Sequence, residues 1–178
     1  MQKLTNEELG RPDLTAYQQI KKLPIILILD NVRSALNVGS VFRSADAFRI
    51  GKIILCGITA QPPHKEVLKT ALGATSSVPW EYETDTLTAV KKLQHEGVKV
   101  YALEQVQESI SLEDFLPQLP ATAIIFGHEM DGVSQEVVDL CDGSIEIRQE
   151  GTKHSLNVSV CAGIVCWELH KKLSHLQQ

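Results

Sequence analysis

The sequence predicts an α/β domain with a mostly parallel sheet flanked by helices. Short apolar runs of strand length recur along the chain, and helix-patterned segments separate them about six times, the alternation that builds parallel sheets. The last helical segment adds a second signal. From Leu156 to Trp167 it reads LNVSVCAGIVCW, apolar or small nearly all round, and such a helix is buried on several sides.

Each element has a local reason. Thr5 and Glu8 have capping-box spacing, which predicts a short N-terminal helix limited by Pro12. A second helical stretch follows from Asp13 to Lys22. Pro24 to Leu29 is a continuous apolar run, suited to a strand covered on both faces. After the loop DNVRSALN, residues 38–48 alternate small and apolar positions in a helical manner, and Lys52–Cys56 is a short apolar strand. Pro62 and Pro63 break the chain before a helix from His64 to Leu72. Next come a strand near Val78–Tyr82, a helix near Thr84–Glu96 ended by Gly97, and a strand at Lys99–Leu103. A short helical segment is predicted at Leu112–Leu116, with a loop between Pro117 and Pro120. The strand Thr122–Phe126, the helix Ser134–Leu140, the strand Ser144–Ile147 and a final helix over Ser155–Leu173 complete the pattern. No repeat or long linker divides the chain, so residues 1–24 read as a helical extension and 25–178 as one domain.

Composition excludes several classes. With 43% hydrophobic and 22% charged residues, the 178-residue chain can bury a real core. Its longest apolar run, Pro24–Leu29, is far below the ~18 residues of a membrane span, so no membrane partner is expected. The N-terminus has no apolar stretch of the secretory kind, and a cytoplasmic location is expected. Four cysteines without CxxC spacing read as free thiols.

The net charge of −5 argues against nucleic acid, because phosphate binding is driven by Lys and Arg. Its distribution argues otherwise. Residues 1–70 hold ten Lys and Arg against six Asp and Glu, whereas residues 71–150 hold four against fifteen. The acidity lies mid-chain and the first segment is basic.

Common cofactor motifs are missing. No GxGxxG follows the first strand. The segment from Gly127 to Ser134 resembles a phosphate loop, but Val133 stands where Lys is required, and Glu129 and Asp131 would repel phosphate. No GxSxG elbow, HExxH or HxH spacing is present, so serine and metal hydrolysis are unsupported and no metal is expected.

Three polar, glycine-bearing clusters follow predicted strands, the position where α/β sheets bind ligands. One spans Asp30–Asp46 with Asn37, Gly39 and Arg43; another spans Phe126–Ser134 with Gly127, Glu129 and Gly132; the third follows Ile147 with Ser155, Leu156 and Asn157. Singly, each has a plainer reading. Asn37, Ser155 and Asn157 could cap helices, Arg43 could be an exposed helical residue, and Glu129 could solvate a turn.

Together and in this order the clusters resemble the three motifs of the SpoU-type RNA ribose 2′-O-methyltransferases of the SPOUT superfamily. Asn37, Gly39 and Arg43 match N-x-G-x-x-x-R, Gly127, Glu129 and Gly132 match G-x-E-x-x-G, and Ser155-Leu156-Asn157 opens the third motif. The likeness spans roughly residues 25–173. One departure stands out: the family usually has proline after the residue here numbered Ile147, and this chain has Arg148. Proline would fix φ and remove a donor in that loop.

The resemblance implies a deep trefoil knot in the C-terminal half, S-adenosylmethionine as cofactor, and a homodimer with the active site made across the interface. Leu103, Gly127, Ile147 and Leu156 would line the cofactor pocket. Arg43 would be the base, or would clamp a phosphate and stabilise the developing alkoxide, since guanidinium effectively never deprotonates. Asn37 and Glu129 would orient Arg43 or the ribose. Ser155 and Asn157 would hold loop and substrate at the last helix. The RNA substrate, tRNA or rRNA, would meet the basic residues Arg11, Lys21, Lys22, Arg33 and Arg49. The 24 residues before the first strand are too few for a separate RNA-binding domain. Two competing readings are a non-catalytic RNA-binding protein on the same fold, suggested by Arg148, and a small-molecule α/β enzyme.

Overall fold

A computed structural model of the chain describes residues 1–5 and 7–174. Asn6, inside the expected capping-box helix, and residues 175–178, the end of the expected domain, lie outside that range. The first described helix is α1 (Leu14–Gln19), capped by Asp13, whose side chain accepts from the Ala16 amide. There follow β1 (Leu23–Asp30), α2 (Ala35–Ala47), β2 (Ile50–Cys56), α3 (Lys65–Ala71), α4 (Ala74–Ser77), β3 (Trp80–Glu83) and α5 (Thr86–His95). The second half contains β4 (Lys99–Leu103), β5 (Ile110–Ser111), β6 (Thr122–Phe126), α6 (Gln135–Leu140), β7 (Gly143–Glu146) and α7 (Val158–Leu173).

The strands form one sheet in the order β3-β2-β1-β6-β4-β7-β5. Every pairing is parallel. The central strands β1 and β6 are apolar at successive positions because both of their faces are covered. Leu27, Leu29, Ile124 and Phe126 pack on the side of α2, α3 and α7. Ile28, Ile54 and Ile125 pack on the opposite side with Val90 and Leu93 of α5 and Val137 of α6. Each such side chain is buried, worth about 1.5–3 kcal/mol relative to exposure.

Three local expectations are corrected. Thr5 and Glu8 do make reciprocal capping bonds, at 2.7 and 3.3 Å, but the segment closes only a turn, ending at Gly10 with φ 57°. Leu112–Leu116 is a turn after β5 rather than a helix. The last helix starts at Val158 with Asn157 as its N-cap, so Ser155 and Leu156 stay in the preceding loop.

β6 inserts between β1 and β4, so the chain reverses its direction of travel across the sheet there. A crevice opens beyond the strand carboxyl ends at such a switch point. The segments that follow β1, β6 and β7 carry the three polar clusters, the first of them mostly on α2, and with β4 these strands are contiguous in the sheet.

Candidate functional site

The clusters meet through side chains. Glu129, just after β6, places its carboxylate at the N-terminus of α2. One oxygen accepts from the Arg33 amide at 2.9 Å, and the other from the Ser34 amide and the Asn37 Nδ2, both at 3.0 Å. Unpaired amides and the helix dipole both favour a carboxylate there. Burial raises the Glu129 carboxyl's pKa, but the bonds from Arg33, Ser34 and Asn37 outweigh it and hold the group below its ordinary range. Asn37 continues the chain of bonds: its Oδ1 accepts from Asn157 Nδ2 at 3.2 Å. Asn157 in turn caps α7, its Oδ1 accepting from the amides of Ser159 at 2.9 Å and Val160 at 3.4 Å. Residues 37, 129 and 157 thus form one relay joining the first turn of α2, the hairpin after β6 and the N-cap of α7.

Beside this relay lies a cavity of about 580 Å³ beyond the ends of β4, β6 and β7. Leu103, Gly127, Ile147 and Leu156 line it, as do Glu129, Ser155 and Asn157. Gln149 and His154–Asn157 complete the wall from the segment 148–157, which is exposed at every residue. Residues 148–153 make no backbone hydrogen bond to the rest of the described chain.

Two glycines are required by close approach. A Cβ on Gly127 would sit 2.2 Å from the Gly132 carbonyl carbon, so the tight hairpin presenting Glu129 admits no side chain there. A Cβ on Gly39 would lie 2.2 Å from both the Val67 carbonyl oxygen and Thr70 Oγ1, so this glycine lets α3 lie directly against α2.

Comparison with known proteins fits this arrangement. The model of the SpoU rRNA Methylase family matches residues 24–167. The chain belongs to this family. SpoU relatives include the 23S rRNA (guanosine-2′-O-)-methyltransferases RlmB of Neisseria meningitidis and Vibrio vulnificus. The first is 29% identical over 155 residues, 87% of this chain and 61% of the relative. The second is 31% identical over 163 residues, 91% of this chain and 65% of the relative. The chain therefore spans less than two thirds of the length of these two relatives. Among solved structures, the AdoMet-bound rRNA methyltransferase of Sinorhizobium meliloti superposes with a TM-score of 0.78 at 25% identity, covering 91% of this chain and 61% of that one.

Within the SpoU motifs, Arg43 stands apart. It is exposed on α2 and lines a different groove with Lys69 of α3. Neither Glu129 nor Asn37 bonds to it; both are committed to the relay. Ser155 lines the cavity but is exposed. Arg148 is also exposed and does not itself line the cavity, although its neighbours Ile147 and Gln149 do.

Sequence reasoning missed Glu104. Its carboxylate lines the cavity and accepts from the Val133 amide at 3.0 Å, tying the Glu129 hairpin to the end of β4. No local pattern marks it, because its partner is 29 residues away. No group of three or more His, Cys, Asp or Glu able to hold an ion occurs among the described residues. No described helix is long and apolar enough to cross a membrane.

Proposed function

We propose that the chain transfers a methyl group from S-adenosylmethionine to a ribose 2′-hydroxyl of tRNA or rRNA. The observation that carries this reading is the Glu129–Asn37–Asn157 relay, which gathers all three SpoU motifs beside one ligand-sized hollow. The residues fit the cofactor. A volume of 580 Å³ falls within the roughly 300–1,000 Å³ of small-molecule sites. Leu103, Ile147 and Leu156 offer apolar walls for a flat adenine, and Gln149, whose backbone bonds to no other described backbone group, offers an amide and a carbonyl for its polar edge. When bound, S-adenosylmethionine supplies an electrophilic sulfonium methyl.

The chain's own residues position and polarise. The Asn37–Asn157 bond ties α2 to the start of α7 beside the cavity, and Glu129 anchors α2 so that Arg43 projects from a fixed helix. The ribose hydroxyl must lose its proton near the transition state. A guanidinium is a poor base, so Arg43 serves as an electrostatic clamp on phosphate and developing alkoxide. Positioning supplies much of the remaining acceleration.

The homodimer belongs to the same proposal. Val160, Ile164 and Trp167 form an exposed apolar stripe on α7, 49%, 36% and 55% accessible, and Trp167 meets Phe48 edge-on at 5.7 Å. Phe48 also borders the groove holding Arg43. A second copy seated on this stripe would bring its Arg43 toward the cavity that lacks one. A deep trefoil knot in the C-terminal half and a cytoplasmic location, where tRNA and rRNA reside, follow from the same reading.

The test is transfer of labelled methyl from S-adenosylmethionine to RNA by Arg43→Ala and Arg43→Lys. Both lose most activity if Arg43 clamps the reacting groups. Full transfer by both variants would remove Arg43 from the mechanism.

A further inference from the structure

The groove that holds Arg43 has a second cation. Helices α2 and α3 enclose about 510 Å³ lined by Ser40, Arg43, Phe48, Lys69, Thr70 and Leu72, among others, with no carboxylate in the lining. In a chain of net charge −5 this is an unusual place. Arg43 and Lys69 make no ion pair among the described residues, which is equally true of Arg33, Arg49 and Lys65 among others; what sets these two apart is that they share one groove whose lining has no carboxylate. The groove is also rigid. Ser40 Oγ and Thr70 Oγ1 both donate to the Leu36 carbonyl at 2.9 Å, and Gly39 lets the two helices touch. Two cations on packed helices thus face one groove that holds no carboxylate, a lining that suits an anion. Leu72, in the left-handed region at φ 48° and 67% exposed, adds an apolar rim.

Resting on the methyl-transfer reading, we propose that Lys69 is a substrate-binding residue that neutralises the phosphodiester next to the one held by Arg43. The ligand is the backbone of the substrate RNA on either side of the reacting ribose. A Lys in the last turn of a helix also complements the helix dipole, so the test must separate the two roles. Stability reads the dipole, and salt dependence reads the phosphate. Each phosphate contact contributes about 0.7 to the log–log salt slope for a single strand.

The experiment measures the affinity of the full chain for a mixed-sequence single-stranded RNA over a series of salt concentrations. Wild type is compared with Lys69→Ala, Lys69→Arg and, on the far side of the sheet, Lys91→Ala. Thermal unfolding and calorimetric binding of S-adenosylmethionine are run in parallel. Lys69→Ala should weaken RNA binding about fivefold at moderate salt and lower the slope by about 0.7, with cofactor affinity unchanged. Lys69→Arg should restore both, and Lys91→Ala should match wild type. A Lys69→Ala variant with wild-type slope, whether or not its melting temperature falls, overturns the inference and leaves the methyl-transfer reading standing. A wild-type chain that binds S-adenosylmethionine but no RNA overturns both.

Discussion

Replacing Glu129 by Ala removes the joint between the first two motifs. The carboxylate accepts three hydrogen bonds, from the amides of Arg33 and Ser34 at 2.9 and 3.0 Å and from Asn37 Nδ2 at 3.0 Å. Bonds to a charged acceptor are worth about 1.5–3 kcal/mol each where solvent is excluded. Glu129 is only partly buried, and water re-solvates the freed amides, so the net loss is smaller. Losing a helix N-terminal acceptor costs about 0.5–2 kcal/mol, and releasing Asn37 adds to that, giving about 2 kcal/mol for Glu129→Ala. Urea unfolding measures it. Methyl transfer should fall by a larger factor than stability explains, because Asn37 loses one of its two tethers. The pH dependence gives an independent check. The folded carboxyl lies below its ordinary value of 4.5, so its stabilisation is complete above the ordinary carboxylate range and is lost as pH falls through the lowered value. Glu129→Gln should flatten this acid limb. A Glu129→Ala protein within about 0.5 kcal/mol of wild type, with full methyl transfer, would refute the reasoning.

Three further outcomes follow from the packing. Gly39→Ala places a methyl 2.2 Å from the Val67 carbonyl and should cost about 2 kcal/mol or more in urea unfolding, while the same change at open Gly151 should cost little. Lys172→Met removes an ammonium that donates to the carbonyls of Leu112, Glu113 and Phe115 at 2.8, 2.7 and 2.8 Å; stability should fall by about 2 kcal/mol, with exchange protection lost first around β5. Trp167→Asp should shift sedimentation from dimer to monomer without unfolding the chain, and a wild-type chain that sediments as a monomer would remove the α7 stripe as an interface.

The strands that were plain in the sequence are those whose burial is written locally. Pro24–Leu29 lies within β1, which is only one residue longer at each end, and Thr122–Phe126 is β6 without change, because both are apolar at every interior position. What escaped depends on distant partners. β5 is two residues long and has no pattern of its own; it is held by β7, by the Leu112 amide bonding Glu146 and by Lys172 from α7. The turn at 112–115 looked helical because its apolar residues have helical spacing, yet they fill the core while Lys172 satisfies their carbonyls. The α7 sequence announced burial on several sides, and within one chain only one side is covered. At the site, the motif residues were legible one by one. Their joints were not, because Glu129 reaches the amides of residues 95 and 96 positions earlier. The charge total likewise concealed the groove: −5 describes the chain, and the Arg43–Lys69 groove, free of carboxylates, is a local exception.

The most direct test of the central claim is mass-spectrometric mapping of ribose methylation in tRNA and rRNA incubated with the chain and S-adenosylmethionine. The account predicts 2′-O-methylation at a defined nucleotide, abolished by Arg43→Ala and strongly reduced by Asn37→Ala. Bound RNA and bound cofactor with no methylated ribose would contradict it and leave a non-catalytic RNA-binding protein on this fold.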